Sequence, residues 1–121
     1  MLAFTLPLGP SVNHLYILTS RGVRLSDDAK KFKADAGLII RSAANVQGGW
    51  LHKANAPLSL YLRLYVPNNR RADISNVIKC TEDAIADALG FDDRHVQRIL
   101  VERMGVDKVN PRCEVVLEAI L

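Results

Sequence analysis

Residues 58–66 constrain this chain more than any other stretch. Leu58, Leu60, Leu62, Leu64 and Val66 alternate without a break with Ser59, Tyr61, Arg63 and Tyr65. A period of two sends the first set to one face of a β-strand and the second set to the other. One face is therefore built for burial and the other for water. Such a strand needs neighbours along its edges and an apolar layer over the leucine face.

Two helical patterns can supply that layer. Ser26 is a good N-cap, and Asp27 and Asp28 suit the positive end of a helix. Phe32, Ala36, Ile39, Ile40 and Ala43 then recur at helical spacing and predict an inward stripe, with Lys30, Lys31, Lys33 and Arg41 on the solvated remainder. This helix should end near Asn45, ahead of Gly48-Gly49, and residues 45–56 should form a loop with Trp50 as a packing anchor. A second helix is predicted over Ser75–Leu89, with Val77, Ile78, Thr81, Ile85, Ala88 and Leu89 inward and Gly90 stopping it.

The remaining segments complete the sheet. Residues 2–6 read as a short strand. Pro7–Arg24 is dense in turn formers and predicts a loop, with a small hairpin around Leu15–Leu18. Residues 96–104 and 113–120 read as two further strands, separated by a turn at Asp107–Pro111. In the last strand Cys113, Val115, Leu117 and Ala119 share a face. The expected fold is α+β: a small mixed sheet of about four strands with two helices, in the order β-α-β-α-β-β, forming a single two-layer domain over residues 1–121.

Composition narrows the function. With 121 residues, 49% hydrophobic and 24% charged, the chain is neither disordered nor low in complexity. No apolar run approaches the length of a membrane span, so no membrane partner is expected. The N-terminus lacks the basic and apolar regions of a secretory signal. Cys80 and Cys113 cannot make a disulfide framework and read as buried thiols in a reducing, cytoplasmic setting. His14, His52 and His95 lack zinc spacing. The net charge of +3 permits a nucleic-acid partner.

Chemistry concentrates at the two ends of the second helix. Before it lie Arg70, Arg71 and Asp73, with Ser75, Asn76 and Lys79 on its first turns. After it lie Asp92 and Asp93. Carboxylates on loops suit a hard cation such as Mg²⁺. Arg70, Arg71 and Lys79 suit phosphate. Taken singly, Asp73 reads first as a helix cap and Asp92-Asp93 as a loop pair, since capping is the commonest use of such acids.

Together these residues resemble the RusA-type Holliday junction resolvases. The family pattern is Asp-x-Asp-Asn, a lysine four residues after the second Asp, and an Asp-Asp pair about twenty residues beyond the first. Here it reads Asp73-Ile74-Ser75-Asn76, then Lys79, then Asp92-Asp93. Pro10-Ser11-Val12-Asn13 resembles the family's early Pro-Ser-x-Asn segment, and Leu25-Ser26 with Ile39-Ile40 resembles its first helix. The resemblance spans about Leu6 to Val116. It implies a crossover junction endodeoxyribonuclease of recombination and repair. Such an enzyme is a homodimer that binds DNA four-way junctions and nicks two strands symmetrically, with Mg²⁺, or Mn²⁺ in its place. Carried over residue by residue, Asp73, Lys79 and Asp93 are catalytic. Asp73, Asp92 and Asp93 hold the metal. Arg70, Arg71, Asn76 and Lys79 meet the DNA.

Ser75 departs from the pattern, because the family has an acid there. The alternative it raises is a catalytically weak or inactive junction-binding protein. Glu82 and Asp83 follow Ser75 and Lys79 along one side of the helix and are candidate substitutes. Each lies about two turns, roughly 10 Å, farther along the axis. Ordinary pairing with Lys79 is the competing role for both.

Overall fold

A computed structural model describes residues 1–9, 16–50, 56–68 and 74–120. The elements run β1 (Leu2–Pro7), β2 (Tyr16–Thr19), β3 (Gly22–Leu25), α1 (Asp27–Val46), β4 (Leu58–Val66), α2 (Ile74–Leu89), a 3-10 turn (Asp93–His95), β5 (Val96–Val106) and β6 (Arg112–Ala119). Four strands form one mixed sheet in the order β1-β6-β4-β5, and β2 and β3 form a separate hairpin. The α+β class and the two-helix cover are as the sequence predicts.

β4 occupies an inner position. It pairs antiparallel with β6, Leu62 opposite Val115, and parallel with β5, Leu62 opposite Val101. The parallel pair follows from connectivity. A parallel neighbour requires a crossover, and α2 provides it in a β4–α2–β5 unit. Leu58, Leu60, Leu62, Leu64 and Val66 are all buried, as the alternation requires. The four leucines meet Phe32, Ala36 and Ile40 of α1, Cys80, Ala84 and Ile85 of α2, and Cys113, Val115 and Leu117 of β6 in one core. Trp50 packs against that core, as expected.

Caps set the helix limits. The Ser26 hydroxyl accepts from the Ala29 N–H at 3.1 Å, and α1 runs one residue past Asn45. Its C-terminal Gln47 also clamps β1. The Gln47 side chain accepts from the Ala3 N–H at 3.1 Å and donates to the Ala3 carbonyl at 2.6 Å. That amide satisfies backbone groups on the outer edge of β1. Both thiols are buried, and burial pushes Cys113 up to about 12.

Three expectations are corrected. The stretch Pro7–Arg24 is not simply a loop. Its hairpin pairs Tyr16–Thr19 with Gly22–Leu25, larger and later than one centred on Leu15–Leu18. Gly22, at φ 108°, takes the left-handed backbone that the tight reversal needs. Ile39 does not join the inward stripe of α1; it is exposed, because Phe32, Ala36 and Ile40 already define the buried arc. Ala119 is exposed at the end of β6, although the three residues alternating before it are buried. Pro10-Ser11-Val12-Asn13, His14 and His52 lie outside the described residues.

The face of β4 opposite the helices is a polar lattice. Tyr61 donates to Glu102 at 2.6 Å, and Arg63 meets Glu114 at 2.7 Å. Arg112 stacks 3.8 Å from the centre of the Tyr65 ring while pairing with Asp107 at 2.8 Å. The two faces of β4 should therefore respond differently to truncation. Leu62→Ala should lower unfolding free energy by about 2–5 kcal/mol, as a buried leucine does. Ser59→Ala should change it by less than about 0.5 kcal/mol. Urea denaturation of the two variants reads both.

Candidate active site

α2 displays the charged candidates on successive turns. Lys79 and Asp83 are one turn apart, and Lys79 Nζ lies 3.5 Å from Asp83 Oδ2. Both side chains are partly exposed, so the pair contributes at most about 1 kcal/mol. Asp83 also lines the narrow groove between the helices, with Leu25, Ala29, Phe32, Lys33 and Cys80. Its neighbour on α1, Lys33, forms an ion pair with Asp87 one turn farther along α2. Asp83 thus occupies the ion-pairing role that its spacing allows.

Glu82 has a different setting. Its carboxyl sits above its ordinary value of 4.5, chiefly through loss of hydration and then through the negative charges of Asp93 and Asp83. Lys79 opposes these effects. The Asp93 charge reaches Glu82 because the chain doubles back after α2. Gly90 takes φ 73°, and the N–H groups of Gly90 and Phe91 both donate to the Ala86 carbonyl, at 2.8 and 3.1 Å. This is a left-handed helix stop, at which a side chain would be strained. Phe91 then packs on the core and sets the start of the next turn.

Asp92 caps that turn. Its Oδ1 accepts from the Arg94 N–H at 3.0 Å, and its Oδ2 lies 3.5 Å from Arg94 Nε. The backbone hydrogen bond holds its carboxyl below the usual range. Asp93 opens the 3-10 turn beside it. One acid of the pair is thus fixed by capping, and the charge of its neighbour acts on Glu82.

The structure brings Glu82, Asp83, Lys79 and Asp93 into one electrostatic neighbourhood. Ser75 and Asn76 belong to the first turn of α2, eight and seven residues of helix before Asp83. The start of α2 at Ile74 is therefore roughly 12 Å of helix axis from Glu82. Asn69, Arg70, Arg71 and Asp73 lie outside the described residues. Among the described residues, no three His, Cys, Asp or Glu side chains come together as a metal cage. The donors nearby are carboxylate oxygens, the chemistry a hard cation requires. Their mutual repulsion at Glu82 is what a cation would relieve.

The family model described as Endodeoxyribonuclease RusA matches residues 7–118. The chain belongs to the RusA endodeoxyribonuclease family. Membership implies endodeoxyribonuclease activity, and the family comprises nucleases that resolve Holliday junctions. Among curated proteins, none matches this RusA-family chain. No helix among the described residues is long and apolar enough to cross a membrane.

Helical spacing alone offers Glu82 only as a substitute ligand. The signal for its approach to Asp93 is the Gly90-Phe91 pair, which reverses the chain. In the unfolded chain the Glu82 carboxyl ionises near its ordinary value, whereas in the folded protein it keeps its proton to higher pH. Above that range, ionisation therefore costs folded-state stability. Without metal, Glu82→Gln should raise the urea midpoint near pH 7. Its advantage should fade below about pH 4, where Glu82 is protonated in both states.

Proposed function

We propose that this chain is a Mg²⁺-dependent endonuclease that acts as a homodimer on four-way DNA junctions, nicking two strands symmetrically. The observation that supports the reading best is the charge coupling of Glu82 with Asp93 and Lys79 beside α2 in a chain of this family. Asp73, Asp92 and Asp93 are the proposed metal-binding acids, with Glu82 in support. Mg²⁺ held by these groups would add positive charge at the scissile phosphodiester and at the attacking water. Asp73, Asp93 and Lys79 form the proposed catalytic set.

The remaining roles belong to the chain's own side chains. Lys79 Nζ exchanges its surface pairing with Asp83 for a non-bridging oxygen of the scissile phosphate. Arg70 and Arg71 hold neighbouring phosphates, and the guanidinium fork suits two oxygens at once. Asn76, on the first turn of α2, adds a neutral donor to the same backbone. A junction is close to two-fold symmetric, and a two-fold dimer sets two equivalent copies of this machinery at a fixed separation.

Ser75 supports a second reading, a junction-binding protein with weak or no cleavage. A serine brings no charge to the cation, and each missing carboxylate leaves more water in the metal's shell. Cutting of a synthetic four-way junction with Mg²⁺ or Mn²⁺ separates the two readings. In an active enzyme, Asp73→Asn should abolish cutting and leave binding intact or tighter. Ser75→Asp should raise the rate at limiting metal. Unchanged cutting by Asp73→Asn would return Asp73 to the role of helix cap.

Junction affinity should also fall steeply with salt, because binding to phosphates releases counterions. Replacing Arg70 and Arg71 together should flatten the log–log slope by about two, roughly one for each phosphate no longer neutralised. Affinity independent of salt would point to a protein partner instead.

A further inference from the structure

The two edges of the sheet are treated differently. At β1, the Gln47 amide occupies the Ala3 N–H and carbonyl on the outer side of the strand. At the opposite edge, no strand among the described residues pairs with the outer side of β5. β5 is 11 residues long and displays Ile99, Leu100, Met104 and Val106 at the surface, Leu100 at 49% exposure. A long apolar edge of this kind is a template for another strand.

We propose that β5 is the surface on which a second copy of this chain docks, by antiparallel pairing of β5 with β5 about a two-fold axis at Leu100. The inference rests on the two-copy reading above and names the surface that carries it. The occupant follows from the sequence of the strand. Between its two irregularities, β5 keeps regular register with β4 from Arg98 to Arg103. Arg98, Leu100 and Glu102 are level with Ser59, Tyr61 and Arg63 of β4 and share the open face of the sheet. In an antiparallel pair centred on Leu100, Arg98 stands opposite the partner's Glu102, and Glu102 opposite the partner's Arg98. Leu100 meets the partner's Leu100. On the helix side, Ile99 stands opposite the partner's Val101. From Arg98 to Glu102 every opposed pair is either opposite in charge or apolar on both sides, and just outside it Gln97 stands opposite the partner's Arg103.

Other registers that keep the faces matched lose this complementarity. Centring on Val101 sets Leu100 against the partner's Glu102 and Ile99 against the partner's Arg103. Centring on Glu102 sets two carboxylates against each other. Because the favoured pairing makes the same contact twice, it closes after two copies and leaves no β5 edge for a third.

The topology adds an independent argument. Asp92 and Asp93 immediately precede β5, and in one chain they lie beyond the C-terminal end of α2. Antiparallel pairing lays the start of β5 beside the end of the partner's β5. There the partner's β4 also ends, and its chain continues toward α2. The surface that closes the sheet thus carries the turn with each acid pair toward the C-terminal end of the partner copy's strands.

Charge swapping tests the pairing on the intact chain. Sedimentation should show the parent protein as a dimer. Arg98→Glu and Glu102→Arg should each weaken dimerisation about tenfold or more, since each turns two attractive pairs into like-charge pairs. Mixed in equal amounts, the two variants should form a heterodimer near parental affinity, because each opposed pair again joins a carboxylate of one copy to a guanidinium of the other. That rescue excludes misfolding as the cause. A parent dimer that both variants preserve, or two weakened variants that fail to rescue each other, would place the interface elsewhere and leave the two-copy reading standing. A parent that is monomeric with and without junction DNA overturns both. Leu100→Cys should cross-link to its counterpart under mild oxidation, whereas Met104→Cys should not.

Discussion

Leu58–Val66 hydrogen-bonds along both edges and buries five side chains on one face, and the other elements are arranged to satisfy it. Its antiparallel partner β6 brings Cys113, Val115 and Leu117 level with the leucines. Its parallel partner β5 can be reached only by a crossover, and that places α2 over the sheet. The end of α2 is in turn fixed by Gly90, whose left-handed backbone reverses the chain into the Asp92-Asp93 turn. The position of the acidic pair is therefore a consequence of strand pairing, carried through one helix and one glycine.

Elements whose determinants are local are legible in the residues. β4 follows from unbroken alternation, α1 from the Ser26 cap and its apolar stripe, and the end of α2 from Gly90. The hairpin over residues 16–25 is largely obscured because its two apolar runs are short and sit in a stretch dense in turn formers from Pro7 onward. Its register depends on pairing between neighbours rather than on burial. Ile39 falls outside the buried arc although its spacing fits, because helical spacing defines a range of positions and only tertiary packing decides where that range ends. The strand order is not available from periodicity, since β4 comes between β5 and β6 in space although those two are consecutive in the chain.

The site divides along the same line. The Lys79–Asp83 pair follows from helical spacing and can be read directly. The coupling of Glu82 to Asp93 cannot, because it depends on where the chain lands after its reversal. The capping of the turn by Asp92 belongs with it: a pair of adjacent acids in a sequence does not reveal which one the backbone will occupy. The structure distinguishes them through the Arg94 N–H, which holds Asp92.

A chain with a net charge of +3 still concentrates carboxylates beside α2, and burial raises the cost of the half-buried Glu82. A sequence selected for stability alone would replace Glu82 by an amide or an apolar side chain. A β5 edge with exposed apolar side chains that no described strand covers is likewise a solubility hazard for an isolated monomer, especially when β1 is clamped by Gln47. Each feature is unfavourable in the lone, metal-free chain, and each is relieved by a binding event. A cation offsets the carboxylate repulsion, and a second β5 covers the edge. The two reliefs are also connected through the covalent chain, because Asp93 lies only three residues before the first residue of β5. Ordering the start of that strand against a partner restricts the same short segment that carries the acid. Occupation of the edge and organisation of the acidic site are therefore expected to be linked, each favouring the other by the same free energy.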